Sequence, residues 1–241
     1  MADKSAVTAN AKAGGVLRRL ARLALAGLAV ATAIPAVIVP LYAFVDPPFS
    51  TLMLRDRLSG HSYERQWIDL DEVAPVMAHS VVVSEDSLFC MHNGIDWKQM
   101  QIAIDQWKAG KEPRGASTIA MQTAKNLFLW PARSYVRKAI ELPLAYYMDL
   151  VWSKRRMIEI YLNSVEWDNG VYGIQAASRH YFKRSASKLT PRQAALLATA
   201  LPLPDTRNPA RPSRYHARLA RLVEERTRDA GPWLKCLEKP A

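Results

Sequence analysis

The sequence predicts a mainly α-helical protein, with one helical domain behind a single N-terminal transmembrane helix. An uncharged apolar run at residues 23–45 indicates the membrane helix. Beyond residue 74 the chain consists largely of segments with helix-capping residues at their ends. It shows no repeat, no low-complexity tract and little alternation of the strand type.

The run "LALAGLAVATAIPAVIVPLYAFV" is long enough to cross a bilayer, which takes about 20 apolar residues. A cleaved signal peptide is the alternative, but its apolar part is normally about 7–15 residues long. Residues 1–22 carry five basic side chains and one acidic one, a net charge of +4. We therefore predict a cytoplasmic tail at 1–22, a transmembrane anchor at 23–45, and a domain outside the cytoplasm at 46–241.

The whole chain has a formal net charge of +11, from 33 basic and 22 acidic side chains. Residues 205–241 contribute nine basic and five acidic groups, again a net of +4. No zinc-finger spacing or ribonucleoprotein-type aromatic motif accompanies this charge, so we expect no nucleic-acid partner. A negatively charged membrane surface or a phosphate-bearing substrate fits the charge.

Helix signals follow one another from residue 75 onward. Residues 50–73 are mixed and predict only a turn or a short extended stretch, whereas Pro75 opens a helix that runs toward His92. The other predicted helices are "WKQMQIAIDQWKA" between Asp96 and Gly110, one that begins near Ser117 or Thr118, "SYVRKAIELPLAYYMDLVW" with a kink at Pro143, "KRRMIEIYLN" as its continuation or restart, "TPRQAALLATAL" with Thr190 and Gln193 in a capping box, and one from Ser213 to Gly231.

The segment "VVVSEDSLFCMH" at 81–92 places two adjacent carboxylates, Glu85 and Asp86, after an apolar run. A carboxylate buried without a partner is costly or takes up a proton. On a helix, Glu85, Phe89 and His92 would share one stripe, at i, i+4 and i+7. The segment alone predicts equally well a cleft that needs an acid or an ordinary helix end with a core Phe and a solvated His.

The segment "RGASTIAMQTAKN" at 114–126 predicts a helix start of a kind that attracts anions, because the first backbone N–H groups of a helix are unpaired. Thr118, Gln122 and Lys125 follow at i, i+4 and i+7 and would share one polar face. The segment lacks the Gly-Lys-Ser/Thr of a phosphate-binding P-loop. An exposed polar helix face is the alternative interpretation.

The segment "RSYVRKAIE" at 133–141 adds more basic groups. Arg137 and Glu141 lie one turn apart and would form an ordinary surface pair. Alternatively, Arg137 and Lys138 face a phosphate and Glu141 orients them.

The remaining reactive residue types form no recognisable site. "SASK" at 185–188 matches Ser-x-x-Lys without the Lys-Thr-Gly or Ser-Asp-Asn of penicillin-binding transpeptidases. The five histidines lack a His-Glu-x-x-His pattern, so we expect no protein metal site. A disulfide between Cys90 and Cys236 is arithmetically possible, but we expect both to be free or buried.

Together, these segments resemble the family 51 glycosyltransferases, the peptidoglycan transglycosylases. "EDSLFCMHNGIDW", "GASTIAMQTAKN" and "RKAIE" with "SKRRMIEIYLN" are similar to that family's first three motifs, and "NGVYGIQAASRHYF" and "LTPRQAALLATALP" to later ones. The resemblance covers roughly residues 74–204 in the same order. The short length and "KNLFLWPARSYVRKAIE" are most similar to the monofunctional biosynthetic branch.

The resemblance implies a lysozyme-like helical domain with a small membrane-facing part, which polymerises lipid II into glycan strands. Glu85 would be the general base and Glu141 would hold the basic residues, while Lys125, Arg137 and Lys138 would neutralise the diphosphate leaving group. No cofactor would be essential, although Mg or Mn could share that charge, and other cell-wall synthesis proteins are expected partners. The remaining substrate-binding residues implied are Asp86, Phe89, His92, Gly115, Ser117, Thr118, Gln122 and Asn126.

Two rival functions are possible for a protein of the same helical class. A muramidase would use Glu85 as an acid, with water as the acceptor, but it would leave the basic residues at 125–138 without a task. A membrane-anchored wall-binding protein would need no carboxylate at all.

Overall fold

The computed structural model describes residues 32–112, 115–132 and 134–239, together with Arg18, Arg19, Arg22, Ala26, Gly27 and Ala29. The chain divides into two compact units, Met1–Phe44 and Val45–Ala241. In the first unit, the described residues 32–42 are helical (α1). The predicted tail at 1–22 lies almost wholly outside the described residues, and the predicted anchor at 23–45 lies partly outside them. Within the described residues, no helix is long and apolar enough to cross a membrane.

The second unit is mainly α-helical, as predicted. Its helices are α2 Thr51–Leu58, α3 Pro75–Glu85, α4 Trp97–Lys108, α5 Ile119–Phe128, α6 Tyr135–Val151, α7 Lys154–Ser164, α8 Ile174–Phe182, α9 Pro191–Ala200 and α10 Arg214–Asp229. Short 3₁₀ turns occupy Leu70–Glu72, Ala186–Lys188, Gly231–Trp233 and Lys235–Leu237.

The helix starts follow the predicted caps. The side chains of Asp96, Thr118, Thr190 and Ser213 each accept a hydrogen bond from the backbone N–H three residues further on. Ser153 caps α7 in the same way, so "KRRMIEIYLN" is a separate helix after α6. The interior of α6 includes Pro143.

Two local predictions are wrong. Residues 51–58 form the regular helix α2, which is capped by Ser50. Helix α3 ends at Glu85 and does not run toward His92, because the backbone at Asp86 leaves the helical region. Turns closed by hydrogen bonds from Phe89 N–H to Asp86 O and from Met91 N–H to Leu88 O follow, so the predicted helical stripe does not exist.

The expectation of free cysteines is also wrong, because Cys90 and Cys236 form a disulfide, with sulfur atoms 2.01 Å apart. The two residues are 146 positions apart in the sequence, but the fold places their Cα atoms 5.6 Å apart. Cys236 lies in the last 3₁₀ turn and Cys90 in the turns that follow α3. The bond therefore ties the C-terminal segment to the loop that follows Glu85.

A small sheet of short strands accompanies the helices, with the order β1–β3–β2 for Glu64–Arg65, Val171–Tyr172 and Glu166–Asp168. Strand β1 is parallel to β3, and β2 is antiparallel to it. The hydroxyl of Tyr172 donates to Asp56 Oδ2 of α2 at 2.6 Å, which joins the sheet to that helix.

Two groups of packed helices bring the candidate site together. Helix α3 packs against α9 and α10, and α5 packs against α6 and α7. Ala195, Leu196, Ala220 and Val223 form a buried cluster between α9 and α10, and Val83 of α3 packs against it. This packing fixes the C-terminal end of α3, where Glu85 lies.

Candidate active site

Glu85 is the last residue of α3, and its half-buried carboxylate is held from α5 and α7. The side-chain amide of Gln122 donates to Glu85 Oε2 at 3.0 Å. The hydroxyl of Tyr161 donates to Gln122 Oε1 at 3.0 Å, so the amide is itself fixed. In the part of the chain that the structure describes, Oε1 of Glu85 accepts no hydrogen bond, which leaves it available to an incoming hydroxyl.

Burial raises the pKa of Glu85 above its ordinary value. The hydrogen bond from Gln122 opposes this shift, whereas the negative charge of Asp86 adds to it. The positive charges of Arg207 and Lys125 lower the pKa of Glu85 again. A partly desolvated carboxylate with a raised pKa suits general acid–base chemistry on a sugar hydroxyl.

Asp86 has a different task from its neighbour. Its Oδ1 lies 2.8 Å from His92 Nε2, and its Oδ2 accepts the backbone N–H of Ile119 at 2.9 Å. The anion at the start of α5 is therefore the carboxylate of Asp86. These contacts draw Asp86 away from α3, which explains why the helix ends at Glu85.

Thr118 connects the start of α5 to the turn after His92. Its hydroxyl donates to Gly94 O at 2.6 Å and accepts the N–H of Met121. Gly94 has a φ of +75°, and a Cβ there would lie 2.5 Å from the carbonyl oxygen of Ala145 in α6. Only glycine fits this close approach between the turn and α6.

The loop after Glu85 is held by Lys154, which the sequence prediction did not include among the site residues. Its ammonium donates to His92 O and to Asp149 Oδ1, each at 2.6 Å. It also lies 4.7 Å from the centre of the Phe89 ring, which is fully buried. The buried ring of Phe89, in contact with Lys154, therefore helps to fix the position of this loop.

The basic cluster gathers around Glu141. Both Arg137 and Lys138 form ion pairs with its buried carboxylate, and Lys138 also donates to Ser117 Oγ at 2.7 Å. Arg137 is braced further through Nε, which donates to Ala132 O at 2.8 Å. The predicted contacts of Glu141 with both basic residues are therefore present.

Lys125 of α5 lies within electrostatic range of both Glu85 and this cluster. Burial lowers the pKa of Lys125, the charge of Glu141 raises it, and Arg137 and Lys138 lower it. Among the described residues its ammonium has no hydrogen-bond or ion-pair partner. Such a half-buried cation is suited to a multivalent anion.

The two remaining predicted site residues, Asn126 and Gly115, differ in their burial. Asn126 is buried, and its Oδ1 has no hydrogen-bond partner. Its main-chain carbonyl accepts the hydroxyl of Thr51 at 3.0 Å, so it anchors α5 to α2. Gly115 is exposed and has a φ of +73° at the entry to the Ser117–Thr118 segment.

Across the described residues, no group of three or more His, Cys, Asp or Glu side chains is arranged to hold a metal ion. The acidic groups that act on Lys125 are Glu141, which already pairs with two cations, and Glu85.

Three residues around Glu85 and the loop that follows it were not among the predicted site residues: Tyr161, Lys154 and Arg207. Tyr161 and Lys154 lie in "SKRRMIEIYLN", a segment that the motif resemblance covers, so a signal for them existed. Arg207 lies in the connection between α9 and α10, where the local sequence gives no sign of its proximity to Glu85.

Residues 53–227 match the family model described as transglycosylase. Similar curated relatives are each called a biosynthetic peptidoglycan transglycosylase. That of Rhizobium leguminosarum bv. trifolii (strain WSM2304) is 51% identical over 229 residues, which cover 92% of this chain and 96% of the relative. That of Brucella suis biovar 1 (strain 1330) is 53% identical over 191 residues, 79% and 85% of the two chains. The match spans every element that carries the site described above, and the chain belongs to the transglycosylase family.

Proposed function

We propose that this protein is a peptidoglycan glycosyltransferase that polymerises lipid II into glycan strands and releases undecaprenyl diphosphate. The observation that carries the proposal is the placement of Glu85. Its carboxylate is held by Gln122 at one oxygen and lies within electrostatic range of Lys125. A base next to a cluster of cations is what glycosyl transfer from a diphosphate requires.

In this mechanism, Glu85 takes the proton from the 4-hydroxyl of the GlcNAc on the acceptor lipid II. The hydroxyl oxygen attacks the anomeric carbon of the MurNAc at the reducing end of the growing chain, with inversion. The bond from that carbon to the diphosphate oxygen breaks, and the electron pair leaves with the undecaprenyl diphosphate. Oε1 of Glu85 is the oxygen that remains available for the proton transfer.

Lys125, Arg137 and Lys138 stabilise the negative charge that develops on the leaving diphosphate. Glu141 binds the last two residues and limits their motion, so that they are positioned before the substrate arrives. In the proposal Mg or Mn is not essential but can share the diphosphate charge, bound mainly by phosphate oxygens. Asp86, Thr118, His92, Phe89 and Asn126, which the resemblance implies are substrate-binding, act in the proposal by holding the segments next to Glu85 and α5.

The proposal places the protein in the cytoplasmic membrane, with residues 1–22 in the cytoplasm, residues 23–45 as a single anchor, and residues 46–241 in the periplasm. The catalytic unit also presents large apolar side chains to solvent. Trp97 and Trp107 on α4 are 65% and 60% exposed, which supports a membrane-facing part near the site. Other cell-wall synthesis proteins are the expected partners at this location.

Incubation of the purified full-length protein with labelled lipid II in detergent tests the function. Formation of long glycan polymer supports the proposal. Degradation of preformed glycan without polymerisation would indicate a muramidase, and unchanged lipid II and glycan would indicate a non-enzymatic wall-binding protein. Either of these results would overturn the proposal.

A further inference from the structure

Arg207 projects from the connection between α9 and α10 toward the end of α9. Its Nη1 donates to the carbonyl oxygen of Thr199 at 2.6 Å. Its guanidinium carbon lies 6.0 Å from the centre of the Tyr215 ring, at the start of α10. The side chain is half-buried, and these two contacts restrict where its charge can lie.

The same end of α9 also contacts the residue before Glu85. The hydroxyl of Ser84 lies 3.5 Å from the carbonyl oxygen of Ala198, the residue next to Thr199. His216 of α10 fixes Thr199 in turn, because its Nε2 lies 3.0 Å from Thr199 Oγ1. The end of α9 therefore acts as a common support for Arg207 and for the segment that carries Glu85.

We propose that Arg207 is a positioning residue that keeps Glu85 ionised for proton abstraction from the acceptor, an inference that rests on the proposed function. None of the ion pairs formed by the described residues joins Arg207 to Glu85 or to any other carboxylate. Its positive charge lowers the pKa of Glu85 without a direct contact between the two side chains. That arrangement favours the carboxylate form without occupying the oxygen that must receive the proton.

Gln122 on α5 favours the ionised form of Glu85 through its hydrogen bond, and the other groups that face Glu85 act in both directions. Asp86 on its own loop disfavours the ionised form, and the buried Tyr161 hydroxyl is neutral. Lys125 on α5 also favours the ionised form. Lys125 is also assigned to the diphosphate. The guanidinium of Arg207, which donates to the carbonyl of Thr199, keeps its charge at any working pH.

The pH dependence of turnover distinguishes this electrostatic role from a purely structural one. Arg207 lowers the pKa of Glu85, so Arg207→Ala raises it. Activity needs the ionised base, and the acid limb of the kcat/KM profile therefore moves to higher pH. Turnover falls most at low pH and approaches the wild-type value at high pH.

The experiment uses the full-length protein with labelled lipid II, across a pH series, for wild type, Arg207→Ala, Arg207→Lys and the control Arg211→Ala. Arg211 is an exposed cation in the same connection. We expect the acid limb to move to higher pH in Arg207→Ala, to lie close to its wild-type pH in Arg207→Lys, and to stay at the wild-type pH in the control. An unmoved acid limb in a folded Arg207→Ala protein, or an equal shift in Arg207→Lys, would overturn the inference.

A second readout does not depend on activity. Titration of ¹³C-labelled glutamate side chains by NMR, with the Glu85 signal assigned from its loss in Glu85→Gln, gives the pKa of the carboxyl directly. An upward shift in Arg207→Ala supports the inference, and an unchanged value contradicts it. If the pKa of Glu85 is higher in Arg207→Ala than in the wild type but the wild-type protein makes no polymer, the proposed function fails while the electrostatic link between Arg207 and Glu85 stands.

Discussion

The side-chain amide of Gln122 binds the carboxylate of Glu85 at 3.0 Å, across the space between α5 and α3. Because Tyr161 holds the amide oxygen, the nitrogen must point at Glu85. The carboxylate thus has one oxygen fixed and the other available. The proposed role of Glu85 as a general base depends on this arrangement.

Replacement of Glu85 by Gln should abolish polymerisation and leave the fold intact. The amide is nearly isosteric but cannot accept the proton, and loss of a general base commonly costs about 10²–10⁴ in rate. Gel analysis of the product from labelled lipid II measures the effect, with the exposed Glu225→Gln as a matched control. Polymerisation by Glu85→Gln within about twofold of wild type would refute the assignment.

Replacement of Gln122 by Ala should reduce kcat by about 10- to 100-fold, as expected for the loss of a hydrogen bond to a charged group. The donated hydrogen bond lowers the pKa of Glu85, so its removal raises that pKa and moves the acid limb to higher pH. Tyr161→Phe frees the amide to rotate and should show a weaker form of both effects. Wild-type kinetics in both variants would show that Gln122 does not position the base.

Neutralisation of Lys125 or Arg137 should lower turnover more than it weakens substrate binding. The diphosphate gains charge as the glycosidic bond breaks, and stabilisation confined to the transition state appears in kcat. Lys125→Arg keeps the charge but replaces a compact ammonium by a planar group, so it should recover only part of the loss. Steady-state kinetics of Lys125→Ala and Arg137→Ala test this, and normal turnover in both would place the diphosphate elsewhere.

Cys236→Ser should lower the free energy of unfolding by about 2–4 kcal/mol, because the Cys90–Cys236 bond closes a long loop in the unfolded chain. Thermal unfolding followed by circular dichroism measures the change. A reducing agent should destabilise the wild-type protein by a similar amount and leave the variant unaffected. Equal unfolding temperatures for the oxidised wild type and the variant would contradict the prediction.

Removal of residues 1–45 should leave a folded domain that still polymerises lipid II in detergent, but more slowly. The proposed catalytic residues all lie in the second compact unit, which begins at Val45. Asp46 pairs with Arg156 at 2.9 Å and remains in the shortened chain. A spectrum of an unfolded chain would show that the domain needs the earlier residues.

The sequence by itself determined the helical class and most helix starts, because caps are local: Asp96, Thr118 and Ser213 each bond a backbone group three residues away. The order and spacing of the motifs also identified the candidate site residues, including Glu85 and Lys125. Their roles in catalysis stay predictions, and so does the membrane anchor at 23–45.

Only the tertiary structure decided what these residues contact. Helical periodicity predicted that α3 runs toward His92. In the structure Asp86 accepts the N–H of Ile119 at the start of α5, and α3 ends at Glu85. No local sequence pattern predicts this contact between distant segments. Cys90 and Cys236 pair across 146 positions. Arg207 reaches the neighbourhood of Glu85 because α9 packs on α3. Contacts between distant segments depend on how helices pack, and the packing is a property of the whole chain.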